Sequence, residues 1–221
     1  MSRYRTILFD LDGTLIDTAP DLGHCLNLLR QRRGLAPLPE SDYRPQASHG
    51  TQGLLRLGFG IRPDDPAFAP LREEYLVLYA EHLTARSPLF PGMGQVLDVL
   101  EGRGLTWGVV TNKPTCYTEP LLAHHGLLER AATVVCGDTL AHNKPHPAPM
   151  LHACRQAGSA PGQCLYVGDA QRDVEAATAA GMPTLVARYG YLGPGDDPDA
   201  WGAAGHIQQP GGLLDWLDAA K

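Results

Sequence analysis

The sequence predicts an α/β protein, a doubly wound parallel sheet with an all-α segment inserted after its first strand. Two observations support this prediction. From residue 92 onward, short apolar runs alternate with amphipathic stretches, as strands and helices do around a parallel sheet. Residues 18–87 interrupt this alternation with helical patterns and scattered prolines, which indicates a helical insertion into an α/β core.

The first strand is the continuous apolar run Thr6-Ile7-Leu8-Phe9, which is bounded by polar residues as a buried parallel strand would be. We expect four further strands of this kind, with helical patterns between them. The strands are predicted at residues 107–111, 133–136, 164–167 and 183–186, and the helices at 96–100, 120–125, 147–156 and 174–180.

The inserted segment begins with leucines at positions i, i+4 and i+7, which predict a helix from Ala19 to near Gly34. Prolines and glycines break up residues 35–53. A short helix is expected around Leu54 to Leu57, and a longer one over residues 71–83. We therefore expect a core domain made of residues 1–17 and 88–221, and an α-helical cap domain made of residues 18–87.

Composition restricts the functional class. The 221 residues are 43% hydrophobic and 19% charged, which excludes a disordered chain. A formal net charge of −6 argues against binding to nucleic acid or to an anionic membrane, and no apolar run approaches the ~20 residues that span a bilayer. The N-terminal residues lack a signal-peptide pattern, so we expect a cytoplasmic protein.

Polar clusters follow the carboxyl ends of four predicted strands, where open α/β sheets bind their ligands. The first cluster is Asp10-Leu11-Asp12-Gly13-Thr14, in which two carboxylates two residues apart lie on the same side of an extended chain. The second is Thr111-Asn112-Lys113. Its hydroxyl and backbone N–H groups would suit a phosphoryl oxygen, although an ordinary turn explains it equally well.

The third cluster contains Lys144, one of only three lysines, placed just before a predicted helix; a solvated lysine is the alternative. In the fourth, Asp169 ends a strand and Asp173 lies in the first turn of the next helix, where capping alone favours an aspartate. If these two and the first pair converge on one sheet edge, a hard cation is needed, and Mg²⁺ prefers such oxygen ligands.

The four clusters, in this order and at strand ends, resemble the motifs of the haloacid dehalogenase superfamily over nearly the whole chain. The core would then be Rossmann-like, and the insertion resembles the C1 cap of that superfamily. An acid at Asp12, two residues after the position of the nucleophile, is typical of the phosphotransferase branch. The resemblance therefore implies a phosphomonoesterase and not a dehalogenase.

By this resemblance, Asp10 attacks phosphorus and forms an aspartyl-phosphate. Asp12 protonates the leaving alcohol and then activates the water that hydrolyses the intermediate. Thr111 and Lys144 would bind the transferring phosphoryl oxygens, and Asn112 would assist through its backbone.

The resemblance also implies a Mg²⁺ cofactor. The Asp10 carboxylate, the Asp12 backbone carbonyl and Asp169 would hold the ion, while Asp173 would support it through water or orient Lys144. Many relatives carry asparagine where Arg172 stands. A guanidinium there leaves the expected ligands intact and could pair with Asp173 or lie at the surface.

The nearest group resembles bacterial phosphoglycolate phosphatases. Arg44 and the segment Ser48-His49-Gly50-Thr51 resemble the cap specificity loop of that group. Arg44 could bind a substrate carboxylate in bidentate fashion and His49 could contact the leaving group, with a surface arginine and a turn residue as the alternatives. Residues 105–114 and 188–203 instead resemble N-acetylmuramic acid 6-phosphate phosphatases. Both groups imply a small phosphate ester that carries a carboxylate.

Three alternatives stay open at this point. A sugar phosphomutase of the β-phosphoglucomutase type would share all four motifs and differ in whether the phosphoryl group passes to sugar or to water. A non-catalytic binding protein could keep the fold. A cysteine hydrolase built on Cys116 lacks any evident histidine and asparagine partners. We expect a monomer or a homodimer.

Overall fold

The computed structural model describes residues 3–219. Within this range six parallel strands form a single sheet. The strands are β1 (Thr6–Phe9), β2 (Thr106–Val110), β3 (Val134–Val135), β4 (Cys164–Gly168), β5 (Thr184–Ala187) and β6 (Gly205–Ile207). Their order across the sheet is β3-β2-β1-β4-β5-β6, so the first strand lies at the centre.

Both faces of the sheet are buried. Ile7 and Phe9 of β1 join one apolar cluster, whereas Leu8 joins a second cluster on the opposite face, because successive side chains of a strand alternate. Phe9 pairs with Val109 of β2 on one side and Val167 of β4 on the other. The residues that follow these three strands therefore emerge side by side at one edge of the sheet.

The helices fall into two groups. Four lie in the segment predicted as the cap and pack on one another: α1 (Ala19–Gln31), α2 (Glu40–Ala47), α3 (Gly50–Phe59) and α4 (Phe68–His82). The others follow in the second part of the chain: α5 (Met93–Gly102), α6 (Thr115–His124), α7 (Ala148–Gln156), α8 (Gln171–Ala179) and α9 (Gly212–Ala219). Of these, α5, α7 and α8 pack against strands. The predicted fold class, a Rossmann-like α/β core with an all-α insertion, is confirmed.

The proline-rich segment is more ordered than the sequence indicated. Helix α2 begins directly after Pro39, which lies outside the helix at its N-cap and so does not interrupt it. Tyr43 of α2 packs closely on Gly23 of α1, where a Cβ atom would meet the tyrosine ring at 2.1 Å. This contact between helices stabilises a segment whose local sequence predicts breaks.

Strand β6 and helix α9 were also absent from the sequence prediction. The strand is only three residues long and pairs with β5 through non-local contacts. In α9, Leu213 and Leu217 are buried at i and i+4. The predicted core limits at residues 1–2 and 220–221 lie outside the described residues.

The chain passes between the sheet and the four-helix segment twice, and the two passages lie together. The backbone N–H of Asp17 donates to the carbonyl of Pro88 at 2.8 Å, and Ile16 forms an antiparallel bridge with Leu89. Among residues 3–219, no helix combines the length and apolarity that a bilayer crossing requires.

Candidate active site

Three aspartates meet at the carboxyl edge of the sheet, beyond β1 and β4. Asp10, Asp169 and Asp173 are all buried, and one carboxylate oxygen from each lies within 4.8 Å of the others. The backbone N–H of Asp10 donates to Val167 of β4 at 2.8 Å, which fixes the first acid beside the strand that carries the second. The structure thus brings together three of the four predicted metal ligands.

Burial and nearby negative charge disfavour the charged forms of two of these acids, Asp10 and Asp169. Burial raises the pKa of Asp10 from 3.8 to about 6, although the ammonium of Lys144 opposes the shift. Burial, together with the charges of Asp10 and Asp173, raises the pKa of Asp169 from 3.8 to about 8. A cation placed between these oxygens would favour the ionised carboxylates.

Lys144 supplies one positive charge at the centre of the cluster. Its Nζ lies 2.9 Å from Asp10 Oδ1 and 2.8 Å from Asp173 Oδ1, and its side chain is fully buried. It also donates to the Val110 carbonyl and to the Tyr166 hydroxyl, each at 2.9 Å. Asp173 therefore holds Lys144 against Asp10, while its other oxygen accepts from the backbone N–H of Ala170.

Asp12 lies beside this cluster and is held differently. Its Oδ1 accepts hydrogen bonds from Thr18 Oγ1 at 2.5 Å and from Lys113 Nζ at 2.8 Å. Lys113 in turn lies over the ring of Tyr79 from α4, 4.8 Å from the ring centroid. The sequence placed Lys113 in a polar cluster, but its contact with Asp12 depends on side-chain direction that no pattern reveals.

The segment after β2 holds the lysine loop in place. Asn112 makes two hydrogen bonds with the backbone of Lys144: its Nδ2 donates to the carbonyl at 2.9 Å, and its Oδ1 accepts from the N–H at 3.0 Å. Thr111 Oγ1 accepts from the N–H of Lys113 at 3.1 Å. Thr111 and Asn112 both lie on the wall of the adjoining cavity.

Gly13 allows the acids to approach this closely. A Cβ atom at this position would lie 2.1 Å from Asp169 Oδ2, and the backbone has a φ of +79°. Oδ2 of Asp169 also accepts from the N–H of Tyr191 at 2.8 Å. The glycine of the first motif is therefore required both by its conformation and by the space that Asp169 occupies.

A cavity of about 550 Å³ opens over the site between the sheet edge and the helices of the insertion. We call it the cap–core cavity. Its lining includes Asp10, Asp12, Ala47, Ser48, His49, Thr51, Gln52, Arg72, Tyr79, Thr111, Asn112, Lys113, Tyr117 and Arg172.

The structure separates the two predicted specificity residues. His49 lies on the wall of the cap–core cavity, but Arg44 is not among the lining residues. Arg44 instead forms ion pairs with Asp17 and Glu40, each at 2.9 Å, and lies over the ring of Tyr191. Sequence reasoning assigned no ligand to Arg172, which the structure places on the cavity wall.

Residues 7–187 match the family model described as haloacid dehalogenase-like hydrolase. The chain belongs to this family. It is 41% identical over 218 residues to the N-acetylmuramic acid 6-phosphate phosphatase of Pseudomonas aeruginosa, covering 99% of this chain and 96% of that one. It is 42% identical over 216 residues to the phosphoglycolate phosphatase of Xanthomonas campestris pv. campestris, covering 98% and 96%.

Solved structures of haloacid dehalogenase-like proteins share the fold. The crystal structure of a predicted phosphoglycolate phosphatase from Haemophilus somnus matches with a TM-score of 0.85 and 28% identity, covering 98% of this chain and 99% of that one. The family and these relatives confirm the predicted resemblance and the predicted enzyme class, a phosphoric monoester hydrolase.

Proposed function

We propose that this protein is a Mg²⁺-dependent phosphomonoesterase that hydrolyses a small, carboxylate-bearing phosphate ester through an aspartyl-phosphate on Asp10. The observation that carries the proposal is the buried Asp10 carboxylate, which contacts Lys144 at 2.9 Å and faces the cap–core cavity beside Asp12. We further propose that residues 18–87 form the cap and that residues 1–17 and 88–221 form the core.

In the first step, a carboxylate oxygen of Asp10 attacks phosphorus and the bond from phosphorus to the ester oxygen breaks. Asp12 gives its proton to the departing alcohol. In the second step, Asp12 takes a proton from water and the water oxygen attacks phosphorus. The bond between phosphorus and the Asp10 oxygen breaks, which regenerates the Asp10 carboxylate and releases inorganic phosphate. The first step requires that Asp12 reach the oxygen of the leaving alcohol, and the second requires that it reach the attacking water.

The contacts of Asp12 suit this role. Thr18 and Lys113 both donate to Oδ1, so Oδ2 has no protein partner among the described residues and can carry the proton. Asp12 also lies on the wall of the cap–core cavity, where the leaving group would sit. Its two donors come from the start of the insertion and from the segment after β2.

Lys144 and Thr111 would bind the phosphoryl oxygens, with the backbone of Asn112 beside them. A phosphoryl group in transfer spreads negative charge over its oxygens, and fixed donors in a water-poor site stabilise that charge strongly. Asp173 and the side chain of Asn112 keep Lys144 in place before substrate arrives. The lysine is therefore preorganised.

The acid cluster fits a hard divalent cation. Its donors are carboxylate oxygens, they are buried within 4.8 Å of one another, and two of them have raised pKa values that a cation would reverse. We propose that Asp10, Asp169 and the Asp12 carbonyl hold Mg²⁺, with Asp173 in support. When bound, the ion would neutralise charge on the phosphoryl oxygens.

The substrate class rests on the names of the relatives, which are phosphatases of 2-phosphoglycolate or of N-acetylmuramic acid 6-phosphate. Both esters carry a carboxylate on the leaving group. The test measures phosphate release from each ester in the presence of Mg²⁺ and compares kcat/KM. A clear preference for one ester assigns it as the substrate.

Three controls accompany this assay. Asp10→Asn keeps the size of the side chain and should lose turnover while the protein stays folded; retained turnover would refute Asp10 as the nucleophile. Chelation of Mg²⁺ should abolish release. Cys116→Ser changes an exposed thiol that is not among the lining residues and should retain activity. Transfer of the phosphoryl group to a sugar instead of water would favour the mutase.

A further inference from the structure

Two arginines on the wall of the cap–core cavity have no acidic partner. Arg172 comes from the first turn of α8 in the core, and Arg72 comes from α4 in the cap. Neither guanidinium forms an ion pair within 4 Å with any carboxylate of residues 3–219. Arginines that line a cavity and lack a partner are suited to an anionic ligand.

Arg172 is the more constrained of the two. It is half-buried, and its only hydrogen bond to the described residues runs from Nη2 to Ser48 Oγ at 3.3 Å. A guanidinium has five N–H donors in a planar fork, so most of them remain available. Burying a guanidinium whose N–H groups lack hydrogen-bond partners costs free energy. The carboxylate of a ligand would accept hydrogen bonds from these N–H groups.

The location of Arg172 relates it to the reacting group. It directly precedes Asp173, and its charge interacts with Asp10, Asp169 and Asp173. It is thus near the phosphoryl site but is not paired with the acids that form it. A carboxylate attached to the leaving group would lie on the cavity side of the phosphoryl group, where Arg172 and Ser48 meet.

Arg44, the residue that the sequence suggested for this task, has its charge satisfied elsewhere. Asp17 and Glu40 each accept from its guanidinium at 2.9 Å, and its side chain does not line the cavity. To bind a substrate it would have to break two ion pairs. The sequence-based assignment of the carboxylate to Arg44 therefore has less support than an assignment to a free guanidinium on the cavity wall.

We propose that Arg172 binds the carboxylate of the leaving group and so determines the preference for acidic phosphate esters. This inference rests on the proposed function, because it names the recognition element of the same site. The ligand chemistry is an alkyl carboxylate, which 2-phosphoglycolate and N-acetylmuramic acid 6-phosphate share.

The test compares each acidic ester with a phosphate ester whose leaving group carries no carboxylate, called the neutral ester below. The pairs are 2-phosphoglycolate with 2-hydroxyethyl phosphate, and N-acetylmuramic acid 6-phosphate with N-acetylglucosamine 6-phosphate. For each pair, the ratio of kcat/KM for the acidic ester to that for the neutral ester is measured. We expect Arg172→Met to lower this ratio by about ten- to a hundredfold, mainly through a higher KM for the acidic ester.

Further variants make the result specific. Arg172→Lys keeps the charge but loses the fork, so we expect an intermediate ratio. Arg155→Met removes an exposed arginine of α7 that is not among the lining residues and should keep the wild-type ratio. Arg72→Met tests the other free cation, and Arg44→Met tests the competing assignment.

Several outcomes would overturn the proposal. If Arg172→Met lowers kcat/KM equally for acidic and neutral esters and shifts the Mg²⁺ dependence, Arg172 supports the acid cluster and does not bind the substrate. If Arg44→Met or Arg72→Met alone removes the preference, that residue is the receptor. Wild-type protein that hydrolyses both members of a pair equally would refute carboxylate recognition but keep the phosphatase. Release from none of the four esters would refute the proposed function itself.

Discussion

Lys144 has more acceptors around it than protons to donate. Four oxygen atoms lie within 2.9 Å of its Nζ, from Asp10, Val110, Tyr166 and Asp173, whereas an ammonium group has three N–H bonds. The Tyr166 hydroxyl also donates to the Val110 carbonyl at 2.8 Å. At least two of these oxygens therefore share one ammonium proton, and the Tyr166 hydroxyl and the Val110 carbonyl help to fix the direction of the lysine.

We expect Tyr166→Phe to lower kcat about tenfold with little change in KM. The variant removes one of the hydrogen bonds that the Lys144 ammonium donates, a charge-assisted bond worth about 1.5 kcal/mol at the lower end of its usual range, from the group that would stabilise the transferring phosphoryl oxygens. Steady-state kinetics on the preferred ester would measure the effect. Tyr75→Phe is the matched control, since Tyr75 is also fully buried and its hydroxyl bonds the Leu22 carbonyl at 2.9 Å, far in sequence from the lysine.

The two variants should lose similar stability and differ in turnover. Equal kcat values in Tyr166→Phe and Tyr75→Phe, with equal falls in melting temperature, would reduce Tyr166 to a structural role. Restoration of kcat at high Mg²⁺ would also argue against positioning of Lys144.

Among individual residues, the sequence predicted the site residues whose positions are set by the ends of regular elements. Asp10, Asp169 and Lys144 follow or precede regular elements, and parallel strands bring such positions together. Tyr166 could not be found in this way, because a tyrosine inside an apolar strand is expected to belong to the hydrophobic core. The free guanidinium of Arg172 was equally hidden, since pairing depends on which acids its side chain meets in the folded chain.

Helix α4 connects the insertion to Asp12, the proposed general acid. Its Tyr79 presents the ring to the Lys113 ammonium, and Lys113 donates to Asp12. The Tyr79 hydroxyl is buried and has no hydrogen-bond partner among the described residues. The ring and the hydroxyl of this residue can therefore be tested separately.

We expect Tyr79→Phe to keep kcat and to leave the melting temperature unchanged or higher, because it removes an unpaired buried hydroxyl and retains the ring. Tyr79→Leu should lower kcat several-fold, because the cation–π contact that holds Lys113, worth roughly 0.5–2 kcal/mol, is lost. Kinetics and thermal melts of both variants provide the measurement. A raised KM in Tyr79→Phe would contradict this view and show that the hydroxyl contacts substrate.

Secondary-structure elements were predictable where a periodic apolar pattern extended over several turns. The leucines of α1 predicted that helix correctly, because one face of it is buried over several turns. Helix α2 depends on Tyr43 packing against Gly23, and β6 depends on pairing with β5, so neither has a strong local signal. Non-local contacts decided these elements.

At the scale of the whole molecule, the sheet core and the helical insertion are linked by polar contacts around Asp17. Its backbone bonds Pro88, and its carboxylate accepts from Arg44 of α2 and from the Tyr191 hydroxyl at 3.0 Å. Arg44 thus joins the insertion to the point where the chain leaves the core. Its position explains why an arginine near the loop does not reach the cavity.

The cluster of buried aspartates at the sheet edge also affects the stability of the whole fold. Asp10 and Asp169 have pKa values of about 6 and about 8 in the folded protein, above the 3.8 of an unperturbed aspartate. Between about pH 4 and about pH 8, the folded metal-free chain therefore binds more protons than the unfolded chain. The stabilising contribution is therefore complete below about pH 4 and is lost as pH rises toward about 8.

We therefore expect the melting temperature of the metal-free protein to fall between about pH 5.5 and about pH 8.5, and Mg²⁺ to restore it most at the higher pH, because binding requires ionised carboxylates. Thermal melts in chelator and in Mg²⁺ across this range provide the measurement. Asp169→Asn is the control: it removes the titrating group with the largest shift, so its metal-free melting temperature should depend less on pH. An equal pH dependence in metal-free Asp169→Asn and wild type would show that Asp169 does not titrate in this range. A Mg²⁺ effect that is largest at acidic pH would show that the acid cluster is not the cation site.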